Sequence, residues 1–146
     1  MSDMTGYTAR EKSFTLAASV APYPFMLATV WIPFTSKLSL LCLGMVLYLA
    51  GMALFIVSLN AIIRTPPDGL FSSGPYRLSR NPLYVSATMV LLGICLATAS
   101  VVLACTLVIA VILQHFMILA EERICIEKYG KAFESYMKRA PRYLFR

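Results

Sequence analysis

The chain has 146 residues, of which 59% are hydrophobic and 14% are charged, and its formal net charge is +6. Soluble domains have roughly 25% charged and 45–50% apolar residues, so this composition excludes an ordinary soluble fold. It also excludes intrinsic disorder, which requires low hydrophobicity and high charge. The composition indicates an integral membrane protein, and the length predicts one domain over residues 1–146.

Long uncharged stretches mark the expected membrane crossings. A helix needs about 20 apolar residues to cross the hydrocarbon core of a bilayer. Two uncharged stretches each have room for one crossing, and a longer one has room for two crossings joined by a tight turn near residues 97–100. The predicted spans cover about residues 13–34, 38–60, 82–98 and 101–119. We therefore expect an all-α polytopic membrane protein with four transmembrane helices.

Two prolines lie near the middle of the first predicted span. Pro22 and Pro24 each remove a backbone donor and crowd the preceding turn, so a kink is expected there. Such a kink has two interpretations. It can be a feature of helix packing whose free carbonyls neighbouring helices satisfy, or it can form a lateral opening for a lipid tail.

The basic residues predict the orientation in the membrane. With four spans, twelve of the thirteen Lys and Arg residues lie on the side of the termini, and only Lys37 lies on the other. The positive-inside rule then places both termini and a C-terminal helical tail in the cytoplasm. Anionic membrane lipids are the expected partners of this charge. Nucleic acid is not an expected partner, because the basic residues flank spans and form no patch interleaved with aromatic residues.

The cysteines do not indicate a metal site or disulfides. No pair has the Cys-x-x-Cys spacing of a zinc or redox motif, and three of the four lie inside predicted spans. Small hydrophobic packing is the expected role of these side chains. We therefore expect no bound metal.

The connection between the second and third spans, residues 61–81, is long for so small a protein. Loops of this length are usually functional or disordered, and the apolar residues Leu70, Phe71 and Tyr76 argue against disorder. Asn81 and Pro82 then suit the N-cap and first position of the next helix. Its N-terminus favours an anionic group.

Two polar clusters are expected to meet at one end of the last helical hairpin. A tight turn joins spans three and four, so their far ends must be neighbours. This arrangement brings Arg80, Asn81 and Tyr84 close to Glu121 and Glu122. The fourth span is expected to continue to residue 129, and an amphipathic helix that ends at residue 141 would lie on the membrane surface or close over a cavity.

Two segments carry a family resemblance. The segments GPYRLSRNPLYVSA and EERICIEKYGKAFESYMKRAPRYL, separated by one helical hairpin, resemble the isoprenylcysteine carboxyl methyltransferase family and its phospholipid methyltransferase relatives. The resemblance covers about residues 70–146 and places the cofactor-binding region there. Members of the family are integral membrane enzymes that use S-adenosylmethionine. The resemblance therefore implies an S-adenosylmethionine-dependent methyltransferase with a lipophilic or lipid substrate.

By position, the resemblance implicates Arg80, Asn81, Pro82, Tyr84, Glu121 and Glu122, and further residues are expected to complete the site. The expected catalytic residues are Arg80, Glu121 and Glu122. The expected cofactor-binding residues are Tyr76, Arg80, Asn81, Pro82, Tyr84, His115, Glu121 and Glu122. Tyr136 and Arg142 are expected to bind the substrate. His115 is included because it lies seven residues before Glu122, on the same helical face.

Other interpretations stay open at this point. The favoured acceptor is a carboxylate, as in isoprenylcysteine O-methylation, and a phospholipid or other amine is the alternative, since the prenylcysteine branch commonly has histidine at the position of Asn81. An NADPH-dependent membrane reductase and a non-catalytic membrane scaffold are further alternatives. The glutamates can also be a solvated helix edge, His115 a packing residue and the basic residues topology anchors. So few spans are compatible with a homodimer.

Overall fold

The computed structural model describes residues 8–66 and 69–144, and this part of the chain is helical without strands. The two ends of the predicted domain, residues 1–7 and 145–146, lie outside the described residues. The α-helices are α1 (Ala9–Val20), α2 (Pro22–Thr29), α3 (Leu38–Ile63), α4 (Pro82–Thr98), α5 (Val101–Tyr129) and α6 (Lys131–Arg139). A short 3₁₀-helix, Gly74–Arg77, lies in the connection before α4.

The expected number of membrane-spanning helices needs a correction. In the described part of the chain, α3 and α5 are the two helices that are long and apolar enough to cross a membrane. The third predicted span, α4, is apolar but has only 17 residues. The first is divided into α1 and α2 at Ala21, because Pro22 begins a new helix and cannot donate a backbone hydrogen bond. The prediction of a kink is confirmed. The prediction of four membrane-spanning helices is wrong for the described residues, because only α3 and α5 have the length and composition to cross a membrane.

Helices α3 and α4 approach each other at backbone distance. Ideal Cβ atoms built on Gly44 and Gly93 would lie only 2.5 and 2.7 Å from the carbonyl oxygen of the opposite glycine. At Gly51, a Cβ atom would lie 2.9 Å from the backbone nitrogen of Val90. Small residues at a helix interface permit this separation, which favours dispersion contacts between helices. Three glycines therefore hold α3 against α4.

A tight turn between α4 and α5 makes these helices antiparallel neighbours. Helix α4 ends at Thr98, Ala99 adopts a left-handed conformation with φ 49°, and Ser100 caps α5 by accepting a hydrogen bond from the Leu103 amide at 3.3 Å. The predicted turn is confirmed. Helix α5 then continues to Tyr129, as predicted, and Gly130 with φ 51° ends it. The far ends of the hairpin consequently lie side by side.

An ion pair fastens α1 to α5. Thr8 caps α1 in a capping box with Glu11, and the carboxylate of Glu11 accepts hydrogen bonds from Arg123 Nε at 3.0 Å and Nη2 at 2.6 Å. The hydrogen bond from Arg123, followed by those from Thr8, lowers the pKa of Glu11 to about 2. Since Arg123 follows Glu122 in the chain, this contact holds the part of α5 that carries both glutamates.

The glycine interface predicts a specific sensitivity to volume. Gly51→Val would force the new side chain into Val90 and Ser86 of α4, and we expect it to lower the free energy of unfolding by about 2 kcal/mol, as overpacking does in other cores. The neighbouring exposed residue Ala50 provides the control, and Ala50→Val should have little effect. Thermal unfolding of both variants in detergent measures the difference, and equal stabilities would contradict the packing described above.

Candidate functional site

A cavity of about 640 Å³ lies beside the far ends of α4 and α5. Its walls come from α3, from the connection before α4 and from the beginning of α4. The last turns of α5 and the helix α6 complete them. The volume falls within the range of small-molecule sites, which are concave and carry a few convergent polar groups. The polar lining residues include Arg80, Asn81, Tyr84, Glu121 and Glu122. The structure therefore brings the two expected polar clusters into one cavity.

Glu122 is a buried carboxylate held by charged and polar partners. It is 6% exposed, and its Oε2 atom accepts hydrogen bonds from Arg142 Nε at 3.0 Å and Nη2 at 2.8 Å. Its Oε1 atom lies 3.4 Å from Arg80 Nε and 3.5 Å from Asn81 Nδ2. A buried charge is tolerated when it is paired and hydrogen-bonded. Two guanidinium groups thus compensate the charge of Glu122 within the protein.

Glu121 has a different environment. Its Oε1 atom accepts a hydrogen bond of 2.8 Å from the hydroxyl of Tyr84, and both residues line the cavity. Across the described ranges, no Lys or Arg side chain forms a salt bridge with Glu121. Glu121 therefore presents to the cavity a carboxyl group that no basic side chain of the described residues pairs with.

Arg80 has spare hydrogen-bonding capacity. Its side chain is only 9% exposed, and its Nε and Nη1 atoms are buried without a hydrogen-bond partner in the part of the chain that the structure describes. Buried donors without partners cost free energy. A guanidinium group also binds carboxylates and phosphates through paired hydrogen bonds. Arg80 is therefore suited to hold an anionic group of a ligand in the cavity.

The segment after α6 closes one side of the site. The backbone amide of Arg80 donates a 2.8 Å hydrogen bond to the carbonyl of Pro141. The carbonyl of Arg142 accepts hydrogen bonds from Ser79 Oγ at 3.1 Å and from Asn81 Nδ2 at 3.2 Å. The chain is extended at Ala140, and this conformation lets the following residues run along the loop before α4. Helix α6, which precedes this segment, lines the cavity with Phe133 and Tyr136.

Two buried tyrosines complete the wall opposite Glu121. The hydroxyl of Tyr136 on α6 donates a 2.6 Å hydrogen bond to the carbonyl of Tyr76, and both residues line the cavity. Burial, with a smaller contribution from the charge of Glu121, raises the pKa of Tyr76 to about 12. Burial likewise raises the pKa of Tyr136. Both phenols are therefore neutral near pH 7, and the hydroxyl proton of Tyr136 is used in its hydrogen bond to Tyr76.

Three of the expected site residues lie elsewhere than expected. Pro82 is buried at the first position of α4 and is not among the cavity-lining residues. His115 lies outside the cavity, with its Nδ1 atom 2.7 Å from the hydroxyl of Tyr143. Arg142 binds Glu122 and also does not line the cavity. Its pKa is raised mainly by the hydrogen bonds to that carboxylate.

Sequence reasoning missed the contribution of α3 to the cavity wall. Phe55 and Ile62 line the cavity, because the glycine interface places α3 alongside α4. The glycines at positions 44, 51 and 93 were the signal that could have indicated this neighbour. In the residues that the structure describes, no three His, Cys, Asp or Glu side chains are grouped to hold a metal ion. The cavity therefore offers the guanidinium of Arg80 with free donors, the ammonium of Lys128, the carboxyl group of Glu121 and aromatic walls.

The pair between Arg142 and Glu122 predicts a stabilising role for the tail. Arg142→Met would leave the buried carboxylate with Arg80 and Asn81 only. Removing one partner of a buried pair costs about 3–5 kcal/mol. Since Arg142 is one-third exposed, we expect a loss nearer to about 2 kcal/mol. Arg139→Met, at an exposed position of α6, is the control. Thermal unfolding in detergent measures both variants, and equal stability would show that the pair is not needed.

The sequence model of a family described as phospholipid methyltransferase matches residues 40–132. The match starts in α3 and ends in α6, so it includes all three helices that carry the glycine interface and the glutamates. No curated protein and no solved structure shows significant similarity to the chain. The family match spans more than half of the 146 residues and contains Arg80, Glu121 and Glu122. The chain therefore belongs to the phospholipid methyltransferase family.

Proposed function

We propose that this membrane methyltransferase transfers a methyl group from S-adenosylmethionine to a lipophilic acceptor, and that the 640 Å³ cavity is its cofactor site. The observation that carries the proposal is the combination, in one cavity, of Arg80, which has free buried donors, and Glu121, whose carboxyl group has no basic partner among the described residues. S-adenosylmethionine has a carboxylate, an ammonium group and a cationic sulfonium. A guanidinium group with free donors and a carboxyl group without a basic partner suit such a zwitterion.

Each of these residues has a proposed role. Arg80 binds the carboxylate through its free guanidinium donors. Glu121 attracts the ammonium or sulfonium charge, and Tyr76 and Tyr84 provide aromatic faces for a cation. Glu122 is a positioning residue, since it pairs with Arg80 and Arg142 and so fixes the guanidinium beside the cavity. When bound, the cofactor supplies an electrophilic methyl group.

The cavity is proposed to lie at the cytoplasmic face. The basic residues of the loop before α4 and of the tail surround it, and the positive-inside rule assigns such residues to the cytoplasm. A polar cofactor would then enter from water and the acceptor from the bilayer.

Glu121 favours a lipid amine as the acceptor. An ammonium group must lose a proton before its nitrogen attacks the methyl carbon, and a nearby carboxylate can accept that proton. Glu121 would accept this proton before methyl transfer, and the cofactor held by Arg80 would supply the methyl group to the neutral nitrogen. A carboxylate acceptor needs no base but would be repelled by the charge of Glu121. The free donors of Arg80 support this second candidate, because they could bind the acceptor carboxylate.

The cofactor proposal predicts a loss of ligand binding at Arg80. S-adenosylhomocysteine should stabilise the purified chain against thermal unfolding, because a ligand that binds only the folded state raises its stability. Arg80→Gln should weaken that binding by about tenfold or more, since a charge-assisted hydrogen bond contributes about 1.5–3 kcal/mol. Isothermal titration calorimetry in detergent measures the affinity.

Arg77→Gln is the matched control, because Arg77 is exposed and does not line the cavity. Arg80→Lys provides a second variant if Arg80→Gln does not fold, and it should also bind more weakly because it lacks the guanidinium fork. NADPH is titrated alongside. Binding of NADPH without binding of S-adenosylhomocysteine would overturn the proposed function in favour of a reductase.

The choice of acceptor predicts the behaviour of Glu121→Gln. If Glu121 accepts a proton from an amine, this variant should lower turnover by about 10²-fold or more. Radiolabelled S-adenosylmethionine with dioleoyl phosphatidylethanolamine or with a farnesylated cysteine carboxylate measures methyl transfer, and Glu134→Gln on the exposed surface of α6 is the control. Transfer to the carboxylate alone, with turnover unaffected in Glu121→Gln, would contradict an amine acceptor.

A further inference from the structure

Two guanidinium groups face the carboxylate of Glu122, and their contacts with it are unequal. Arg142 donates to Oε2 from Nε at 3.0 Å and from Nη2 at 2.8 Å. Arg80 Nε lies 3.4 Å from Oε1, yet this atom and Nη1 have no hydrogen-bond partner within residues 8–66 and 69–144. Arg142 therefore holds Glu122 by hydrogen bonds, whereas Arg80 lies near the carboxylate without donating to it.

The formal charges of these three groups explain how Arg80 stays available to a ligand. Arg80 and Arg142 are positive and Glu122 is negative, so the three groups together carry one excess positive charge. Arg142 is one-third exposed and does not line the 640 Å³ cavity, whereas Arg80 lines it with free donors. The excess charge is therefore presented to the cavity by Arg80.

The loss of Arg142 would change this balance. A buried carboxylate that loses one cation is drawn to the next, because an unpaired charge in the interior is strongly destabilising. Hydrogen bonds from nitrogen to oxygen are about 2.7–3.2 Å long, so a movement of a few tenths of an ångström would make Arg80 Nε a donor to Glu122. The pair would then be neutral, and Arg80 would have to break this bond before it could bind an anion.

The segment that carries Arg142 is fastened on both sides of this residue. The carbonyl of Pro141 accepts a 2.8 Å hydrogen bond from the Arg80 amide. The hydroxyl of Tyr143 lies 2.7 Å from Nδ1 of His115 on α5. These contacts fix the backbone from which the guanidinium group of Arg142 reaches the carboxylate. The ion pair therefore does not depend on a long side chain that is ordered by itself.

We propose that Arg142 is a positioning residue that occupies the carboxylate of Glu122 and thereby leaves the guanidinium group of Arg80 free to bind the anionic end of a ligand. The proposal rests on the proposed function, in which Arg80 binds the carboxylate of S-adenosylmethionine. Arg142 acts through Glu122 and does not line the cavity itself. This role differs from the substrate binding that the sequence predicted for Arg142, and it makes the tail a part of the cofactor site.

Two ligands separate this role from a general loss of structure. S-adenosylhomocysteine has the carboxylate that Arg80 is proposed to bind, whereas 5′-methylthioadenosine has the same adenosine and sulfur without the carboxylate or the ammonium group. Isothermal titration calorimetry of the purified full chain in detergent measures both affinities. Arg142→Gln should weaken S-adenosylhomocysteine binding by about tenfold, because the competing hydrogen bond of Arg80 reduces the fraction of molecules that can bind.

Binding of 5′-methylthioadenosine should not change in Arg142→Gln, because this ligand has no group for Arg80. Arg139→Gln, at an exposed position of α6, is the matched control and should bind both ligands as the unmodified chain does. Arg142→Lys replaces Arg142→Gln if the latter does not fold. It lacks the guanidinium fork, and we expect a loss of about threefold for S-adenosylhomocysteine alone. An equal loss for both ligands would overturn the proposal.

A second substitution at Glu122 reverses the effect only if competition is its cause. Glu122→Gln removes the charge that would capture Arg80, so the double variant should bind S-adenosylhomocysteine about fivefold more tightly than Arg142→Gln alone. If Arg142 only supported the fold, the second substitution would bring no recovery of affinity. A double variant that binds no more tightly than Arg142→Gln would therefore contradict the proposed competition.

A measurement without any ligand keeps this proposal separate from the proposed function. In proton–nitrogen NMR spectra of the unliganded chain, the Nε proton of Arg80 should move downfield in Arg142→Gln, because it begins to donate to a carboxylate. The signal is identified by its loss in Arg80→Lys. If the unmodified chain fails to bind S-adenosylhomocysteine, the proposed function fails, while this signal still decides whether Arg142 keeps Arg80 free. An Arg80 signal at the same position in both proteins would overturn the role of Arg142.

Discussion

The buried carboxylate of Glu122 is the constraint on which the arrangement of the site depends. A charge in this environment is stable only with its partners in place, and desolvation costs several kcal/mol per ion when they are missing. The partners come from two other segments, Arg80 and Asn81 before α4 and Arg142 after α6. The hydrogen bonds and ion pairs of the Glu122 carboxylate therefore hold the loop, α5 and the tail together. These contacts lie beside the cavity.

The two adjacent glutamates differ because successive helical residues point about 100° apart. This rotation directs Glu122 into the junction with Arg142 and directs Glu121 towards Tyr84 and the cavity. Glu122 is paired within the protein, whereas Glu121 faces the cavity. The two neighbouring residues can therefore have separate roles. The paired residue supports the geometry, and the unpaired residue provides the chemistry proposed for the acceptor.

Much of the site followed from local rules. The uncharged length after Asn81, with a turn near residue 99, was sufficient to bring Arg80 near Glu121 and Glu122, and Gly130 marked the end of α5. Helix lengths were less predictable, because hydropathy does not show that Ala21 divides the first span. Contacts between α5 and the tail were also beyond the pattern. The pairing of His115 with Tyr143 depends on the path of the tail, which no periodicity specifies.

The hydrogen bonds between the backbone of Arg80 and Pro141, and between Asn81 and the carbonyl of Arg142, have a thermodynamic consequence. The residues proposed to grip a ligand are the same ones that hold the tail, so occupancy and tail docking are linked equilibria. Linkage is reciprocal: whatever favours a docked tail raises ligand affinity by the same factor by which the ligand favours docking. A membrane surface that binds the basic tail in competition with the loop would therefore lower the affinity of the cavity for its ligand without contacting the cavity.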